Sequence, residues 1–289
     1  MTNLVQQEER LKNYNGNDRV VSTIEKAKEL KKNPYNLFSI STGFKYLDLL
    51  VGKLEATEMI AMTGLEKVGK SGFIRNLTKN FLKQGVQTLW FQYELSYWQF
   101  FRSFGGKLPR FYLPNELYNK DMNWIEERTR EAVIKYDIKV VVLDPIQYLL
   151  DYESRSSPNI EIGAIIRRFK VIANMLNLIV IIISHARKLM LGEKISSQIF
   201  RDSHLLPAEA DKIWLFDRLR NSQGEGTNKA KLIVSSDRRT GTMGKKIDFL
   251  FDKATETYTE VEKLPKLEKE TKKEKEEEED IFSGQDSIF

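Results

Sequence analysis

The chain has 289 residues, 41% hydrophobic and 11% aromatic, with a net charge of +5: the composition of a globular chain with room for one large α/β core or two small domains. No apolar run approaches the roughly 20 residues a membrane-spanning helix needs, and the absence of cysteine excludes a disulfide framework. Two histidines, His185 and His204, are too few for a zinc site, and the N-terminus lacks the basic-then-apolar pattern of a secretory signal, so a cytoplasmic protein without membrane contact is expected.

In chain order, VSTIEKAKELKK (21–32) reads as a short helix that Asn33-Pro34 ends. Four β-branched or aromatic runs follow, EMIAMTG (58–64), TLWFQYE (88–94), KVVVLD (139–144) and LIVIIIS (178–184). Near-continuous apolar strands separated by helical stretches predict a parallel sheet buried on both faces. IEIGAIIRRFKVIANML (160–176) has the helical spacing of the crossover that a parallel pair requires. After Asp217 the pattern changes, and KLIVSSD (231–237), KKIDFLFD (245–252) and TETYTEV (255–261) are close enough in sequence to be antiparallel strands extending the sheet. Beyond about Pro265 the composition is too polar to fold. The expected division is an N-terminal segment 1–33, a globular domain 34–262 and a disordered acidic tail 263–289.

Charge is divided unevenly. Residues 266–289 hold five Lys against nine Asp and Glu, a net of −4, which leaves +5 − (−4) = +9 on the rest. A basic body suits an anionic partner such as nucleic acid.

The densest chemical signal is GLEKVGKS, which fits G-x-x-x-x-G-K-[ST] from Gly64 through Glu66, Lys67, Val68, Gly69 and Lys70 to Ser71. A strand leads in, and the amphipathic helix SGFIRNLTKNFLKQ, with Gly72 in its first turn, leads out, as a phosphate loop requires. The glycines allow backbone N–H groups and the helix N-terminus to face phosphates. Lys70 is then expected against the β- and γ-phosphates of ATP, with Ser71 on Mg²⁺. Asp144 ends a buried strand at the sheet edge where α/β proteins place ligands, and is expected to hold the metal through water. Glu94 ends the neighbouring run and is placed to orient and deprotonate an attacking water. Ser184 and His185 end the fourth strand, positioned either to sense the γ-phosphate or to serve the structure.

Together STGFKYLDLLVGKL, the phosphate loop, WFQYEL, VVLDPIQYLL, RRFKVIANMLN, IIISHARK, FRDSHLLPAEADKIWLFDR and SSDRRTGTMG resemble, in this order, the motor domain of DnaB-type replicative helicases, from about Ile40 to Val261. The resemblance implies a RecA-like P-loop ATPase, a mostly parallel central sheet extended by C-terminal antiparallel strands, that assembles as a homo-hexameric ring, hydrolyses NTP between subunits and moves along single-stranded DNA. It implies that Glu94 is the catalytic glutamate, Asp144 the Walker B acid, Gln147 a polar residue coupling nucleotide state to DNA loops, and His185 a γ-phosphate sensor. Arg239 falls at the arginine finger that acts in the neighbour's site, while Asp237 stands where the family has a companion basic residue, leaving Arg238 to compensate. Gly52-Lys53 replaces a usual glycine pair. The family's N-terminal collar is expected to be missing, as in a compact phage- or plasmid-like form, with Val21–Lys32 resembling its linker helix. In the loops after the third and fourth strands, Arg155, Arg187, Lys188, Lys194 and Arg201 are expected to meet successive DNA phosphates.

The closing EEEEDIFSGQDSIF resembles the partner-recruiting tip of bacterial single-strand-binding proteins, and QDSIF the pentapeptide that enters a sliding-clamp pocket. Either it docks a replisome partner (sliding clamp, primase or loader) through Ile288 and Phe289, or it only solubilises. Two other functions stay open on sequence alone: a RecA- or RadA-like recombination ATPase, and a nucleotide-regulated replication adaptor or loader.

Overall fold

A computed structural model describes residues 2–16, 18–32, 38–105, 108–117, 119–150, 157–186, 205–221, 223 and 225–261. Helices α1 (Thr2–Lys12) and α2 (Thr23–Lys32) belong to a unit separate from Leu37–Leu267. Ser22 caps α2 by accepting from the Glu25 N–H at 3.1 Å. The helix expected over 21–32 is present as α2, while Asn33-Pro34, expected to end it, lie outside the described residues, and α1 is an addition to the elements expected from the sequence.

Within Leu37–Leu267, β1 (Ser39–Ile40) and β2 (Leu54–Glu55) form a small antiparallel pair flanking α3 (Lys45–Val51). Among the described residues the main sheet has eight strands. β3 (Met59–Thr63), β4 (Gln87–Gln92), β5 (Ile138–Asp144), β6 (Ile179–Ile183) and β7 (Lys212–Arg220) run parallel in the order β7-β3-β6-β5-β4. β8 (Gly226–Asp237), β9 (Lys245–Asp252) and β10 (Thr257–Glu260) continue antiparallel from β7. This is the mixed sheet the sequence predicts, with one addition. The change to antiparallel comes only after β7, which runs through Asp217 to Arg220, and β8 starts five residues earlier than its apolar run.

The unbroken apolar strands follow from the layering. Alternate residues of β3 enter opposite cores: Ile60 and Met62 join Trp90, Val142, Ile181 and Trp214 on one face, and Met59 and Ala61 join Phe91, Val141, Ile182 and Leu215 on the other. With both faces covered, the central positions of these strands are apolar and polar residues such as Thr63, Gln92 and Asp144 fall near the strand ends. α4 (Lys70–Lys83) covers the first face with Phe73, Ile74, Leu77 and Phe81, and the short α5 (Tyr97–Arg102) adds Phe100. α6 (Met122–Tyr136) and the crossover α7 (Pro158–Leu176) cover the second through Ile125, Ile162, Ile166 and Phe169. Asp121 starts α6 by accepting from the N–H groups of Asn123 and Trp124, and α7 begins with Pro158 in its first turn and stops at Asn177 in the left-handed region. The Trp90 indole N–H, buried against α4, is satisfied by Thr78 Oγ1 at 3.1 Å. Among the described residues no helix is long and apolar enough to cross a membrane.

Candidate functional site

The geometry explains why the loop places glycines five residues apart. β3 stops at Thr63, and a Cβ on Gly64 would press into the Phe216 carbonyl oxygen of the adjoining β7. Gly69 takes φ 103° as the chain enters α4, and a side chain there would strike the Tyr258 hydroxyl. Between them Val68 is buried and Glu66 and Lys67 face outward. Lys70, 7% exposed, donates to the carbonyl oxygens of Gly64 and Leu65, both at 2.9 Å. Burial lowers its pKa, an effect opposed by the charges of Asp144, Glu94 and Glu66.

Glu66, Lys67, Gly69 and Lys70 of the loop line one cavity of about 780 Å³ with Ser71, Gly72, Glu94, Asp144 and His185, while Gly64 and Val68 stay behind its wall. Asp144, from the end of β5, is 1% exposed, and neither carboxylate oxygen has a hydrogen-bond partner of good geometry among the described residues. Burial pushes its pKa up to about 6, the neighbouring Ser71 hydroxyl working against the rise. A buried carboxylate with both oxygens unsatisfied beside a hydroxyl at a helix start fits a hydrated divalent cation. Glu94 lies two residues past β4, exposed on the cavity wall. Gln147 is buried in the short 3₁₀ turn after β5. Its amide donates to Ser184 Oγ at 2.8 Å and accepts from the His185 N–H at 3.1 Å, tying the ends of β5 and β6 together.

Arg239 lies at the other end of the sheet, where β8 finishes. Its guanidinium is held within its own chain by Glu58 at 3.1 Å, Glu55 at 3.2 Å and the carbonyls of Val51 (2.7 Å) and Lys53 (2.6 Å). Arg238 is more exposed and donates to the Ala208 carbonyl. Asp237 is buried; one oxygen meets Lys212 at 2.9 Å and the other accepts from the N–H groups of Arg239 and Thr240. The acid at this position therefore forms the turn that carries both arginines.

Arg155, Arg187, Lys188, Lys194, Arg201 and the tail 263–289 lie outside the described residues. Conversely, motif reading missed Arg75, Arg218, Phe251, Lys253, Glu256 and Tyr258, which complete the cavity wall from α4 and β7–β10. The Arg218 guanidinium lies 5.1 Å over the Phe251 ring, itself 4.9 Å from the Tyr258 ring. No linear pattern joins these positions to the loop.

A model of the DnaB-like helicase C-terminal domain matches residues 112–260, 149 of the 289. The chain belongs to the DnaB-like helicase family. Members of this family are ATP-binding replicative helicases that work as hexamers. The matched stretch holds Asp144, Gln147, His185 and Arg239 and begins after the phosphate loop. Among solved structures, one of an ATPase domain aligns with a TM-score of 0.70 at 17% identity, over 84% of this chain and 100% of that one. A DnaB-like replicative helicase, solved with a view to its interactions with primase, aligns with a TM-score of 0.69 at 18% identity, over 90% of this chain and 71% of that one. These likenesses are ones of fold, and they agree with the RecA-like architecture. No curated protein matches the chain.

Proposed function

We propose that this DnaB-like helicase is a cytoplasmic ATP-dependent translocase on single-stranded DNA, hydrolysing ATP between the subunits of a homo-hexameric ring. The observation that carries the reading is the convergence of Lys70, Ser71, Glu94 and His185 on one cavity around the buried, unsatisfied carboxylate of Asp144. In this reading the motor spans about 34–262, preceded by a linker segment and followed by an acidic tail that recruits a replisome protein such as clamp, primase or loader.

Lys70 swings from the loop carbonyls to the β- and γ-phosphates, exchanging two neutral acceptors for anionic ones. Ser71 and Asp144 would hold Mg²⁺, which would supply charge neutralisation at the phosphates. Glu94 accepts a proton from the attacking water. His185 reads the γ-phosphate, and Gln147, bonded to both Ser184 and His185, passes that state from β6 to β5 and the loops beyond, where Arg155, Arg187, Lys188, Lys194 and Arg201 meet DNA phosphates. Arg239, or Arg238 beside it, supplies positive charge to the neighbour's site.

The grip of Glu58, Glu55 and two carbonyls on Arg239 favours a second reading, a nucleotide-regulated adaptor in which that arginine stays in its own subunit. ATP turnover with and without single-stranded DNA, together with the solution mass in nucleotide, separates the two. DNA-stimulated turnover in a hexamer supports the translocase; slow, DNA-indifferent turnover in a monomer overturns it in favour of the adaptor.

A further inference from the structure

Arg75 is the buried charge in the cavity wall that this mechanism leaves unused. It projects from the second turn of α4 with its side chain only 10% exposed. It donates no hydrogen bond among the described residues: its nearest anion, Glu256 Oε2, is 3.9 Å away, and its guanidinium lies 5.9 Å from the Phe104 ring centre. A guanidinium carries five donors, and those of Arg75 open onto the cavity, where a bound ligand can take them up. Location identifies what does. Arg75 Nη2 is 3.5 Å, and the Tyr258 hydroxyl 3.6 Å, from the point a Cβ on Gly72 would occupy. The guanidinium therefore borders the second residue after Lys70. Backbone N–H groups of such a loop cradle the α- and β-phosphates while its lysine reaches β and γ. A nucleotide seated on the loop in this way would bring its sugar-proximal phosphate toward Arg75.

We propose that Arg75 is a nucleotide-contacting residue that binds the sugar-proximal phosphate of a nucleoside tri- or diphosphate, with Glu256 and Phe104 fixing the plane of its guanidinium. This deepens the function proposed above and rests on it.

The test is calorimetric binding of ATP and of ADP to the full chain and to its Arg75→Met variant. A contact to the sugar-proximal phosphate is common to both ligands, so both affinities fall together, by about ten- to a hundredfold, the factor that a hydrogen bond to a charged group carries. Unchanged binding of both overturns the proposal, as does a loss confined to ATP, which would place Arg75 on the γ-phosphate. Should Arg75→Met fail to fold, Arg75→Lys keeps the charge without the planar fork: a shared several-fold loss supports the contact, and wild-type affinity for both overturns it. An unaltered chain that binds neither nucleotide would instead overturn the proposed function itself.

Discussion

The two ends of the parallel strands hold similar numbers of buried charges and treat them oppositely. Where the strands end, among the described residues Asp144 has two unsatisfied oxygens, Arg75 no hydrogen bond, and Lys70 only loop carbonyls. Where they begin, Lys212 is fully buried between Glu58 at 2.8 Å and Asp237 at 2.9 Å; Glu58 also holds Arg239, Asp237 closes the following turn, and Lys170 pairs with Asp211, which accepts from the Met59 N–H at 2.7 Å. Burial alone therefore does not mark a binding site. Under the proposed function the end left unsatisfied takes a ligand that brings the missing partners, whereas the satisfied end is a mount that fixes the turn bearing Arg238 and Arg239.

The sharpest break of this contrast is Lys70→Ala. Turnover should fall on the order of a thousandfold, as when a preorganised charge donor is lost, with the melting temperature unchanged; normal turnover would show that the loop lysine serves no ligand. Next is Asp237→Ala at the satisfied end, which leaves Lys212 with one carboxylate and the Arg239 turn unclosed. Breaking a buried pair costs about 4 kcal/mol, measurable by urea unfolding, and a loss within error would make the two ends equivalent.

Asp144→Asn should do the reverse and stabilise. The folded carboxyl titrates at about 6 against an ordinary 3.8, so the native state keeps its proton to higher pH, and stability falls as pH rises through that window. At neutral pH the variant should exceed the parent by on the order of 3 kcal/mol, from ~1.4 kcal/mol per unit, with no difference below the unfolded value. Equal stability of parent and variant at neutral pH would show that Asp144 is already satisfied.

The smallest effect is expected at Gly52. Its φ of 65° and ψ of −169° lie in a region reserved for glycine, and a Cβ would sit 2.8 Å from Arg239 Nη2. Gly52→Ala should cost about 2 kcal/mol and loosen the arginine. If the variant melts like the parent, the loop does not grip that side chain.

Much of this was legible in the residues themselves. Four of the five parallel strands announce themselves because a strand covered on both faces must be apolar throughout, and α4 and α7 because their apolar spacing repeats at 3.6. The fifth, β7, does not stand out in the same way: it opens on the buried Lys212 and closes on Arg218 and Arg220, so its ends look like surface. The loop from Gly64 to Ser71 is local chemistry, since one turn supplies the glycine geometry, the lysine and the hydroxyl. Asp144 and Glu94 are legible as strand-end carboxylates for the same reason.

By itself, then, the sequence determined the layered sheet, the phosphate loop and the family, because each rests on neighbours within one strand, turn or helix. Only the tertiary structure decided that Asp144 is left unsatisfied among the described residues, that Asp237 serves Lys212 and the arginine turn, and that Arg75 faces Glu256 and borders the loop at Gly72. Those partners are supplied by strands that stand far away in the chain and meet only across the folded sheet, and whether a buried charge is answered is a property of that meeting rather than of either residue.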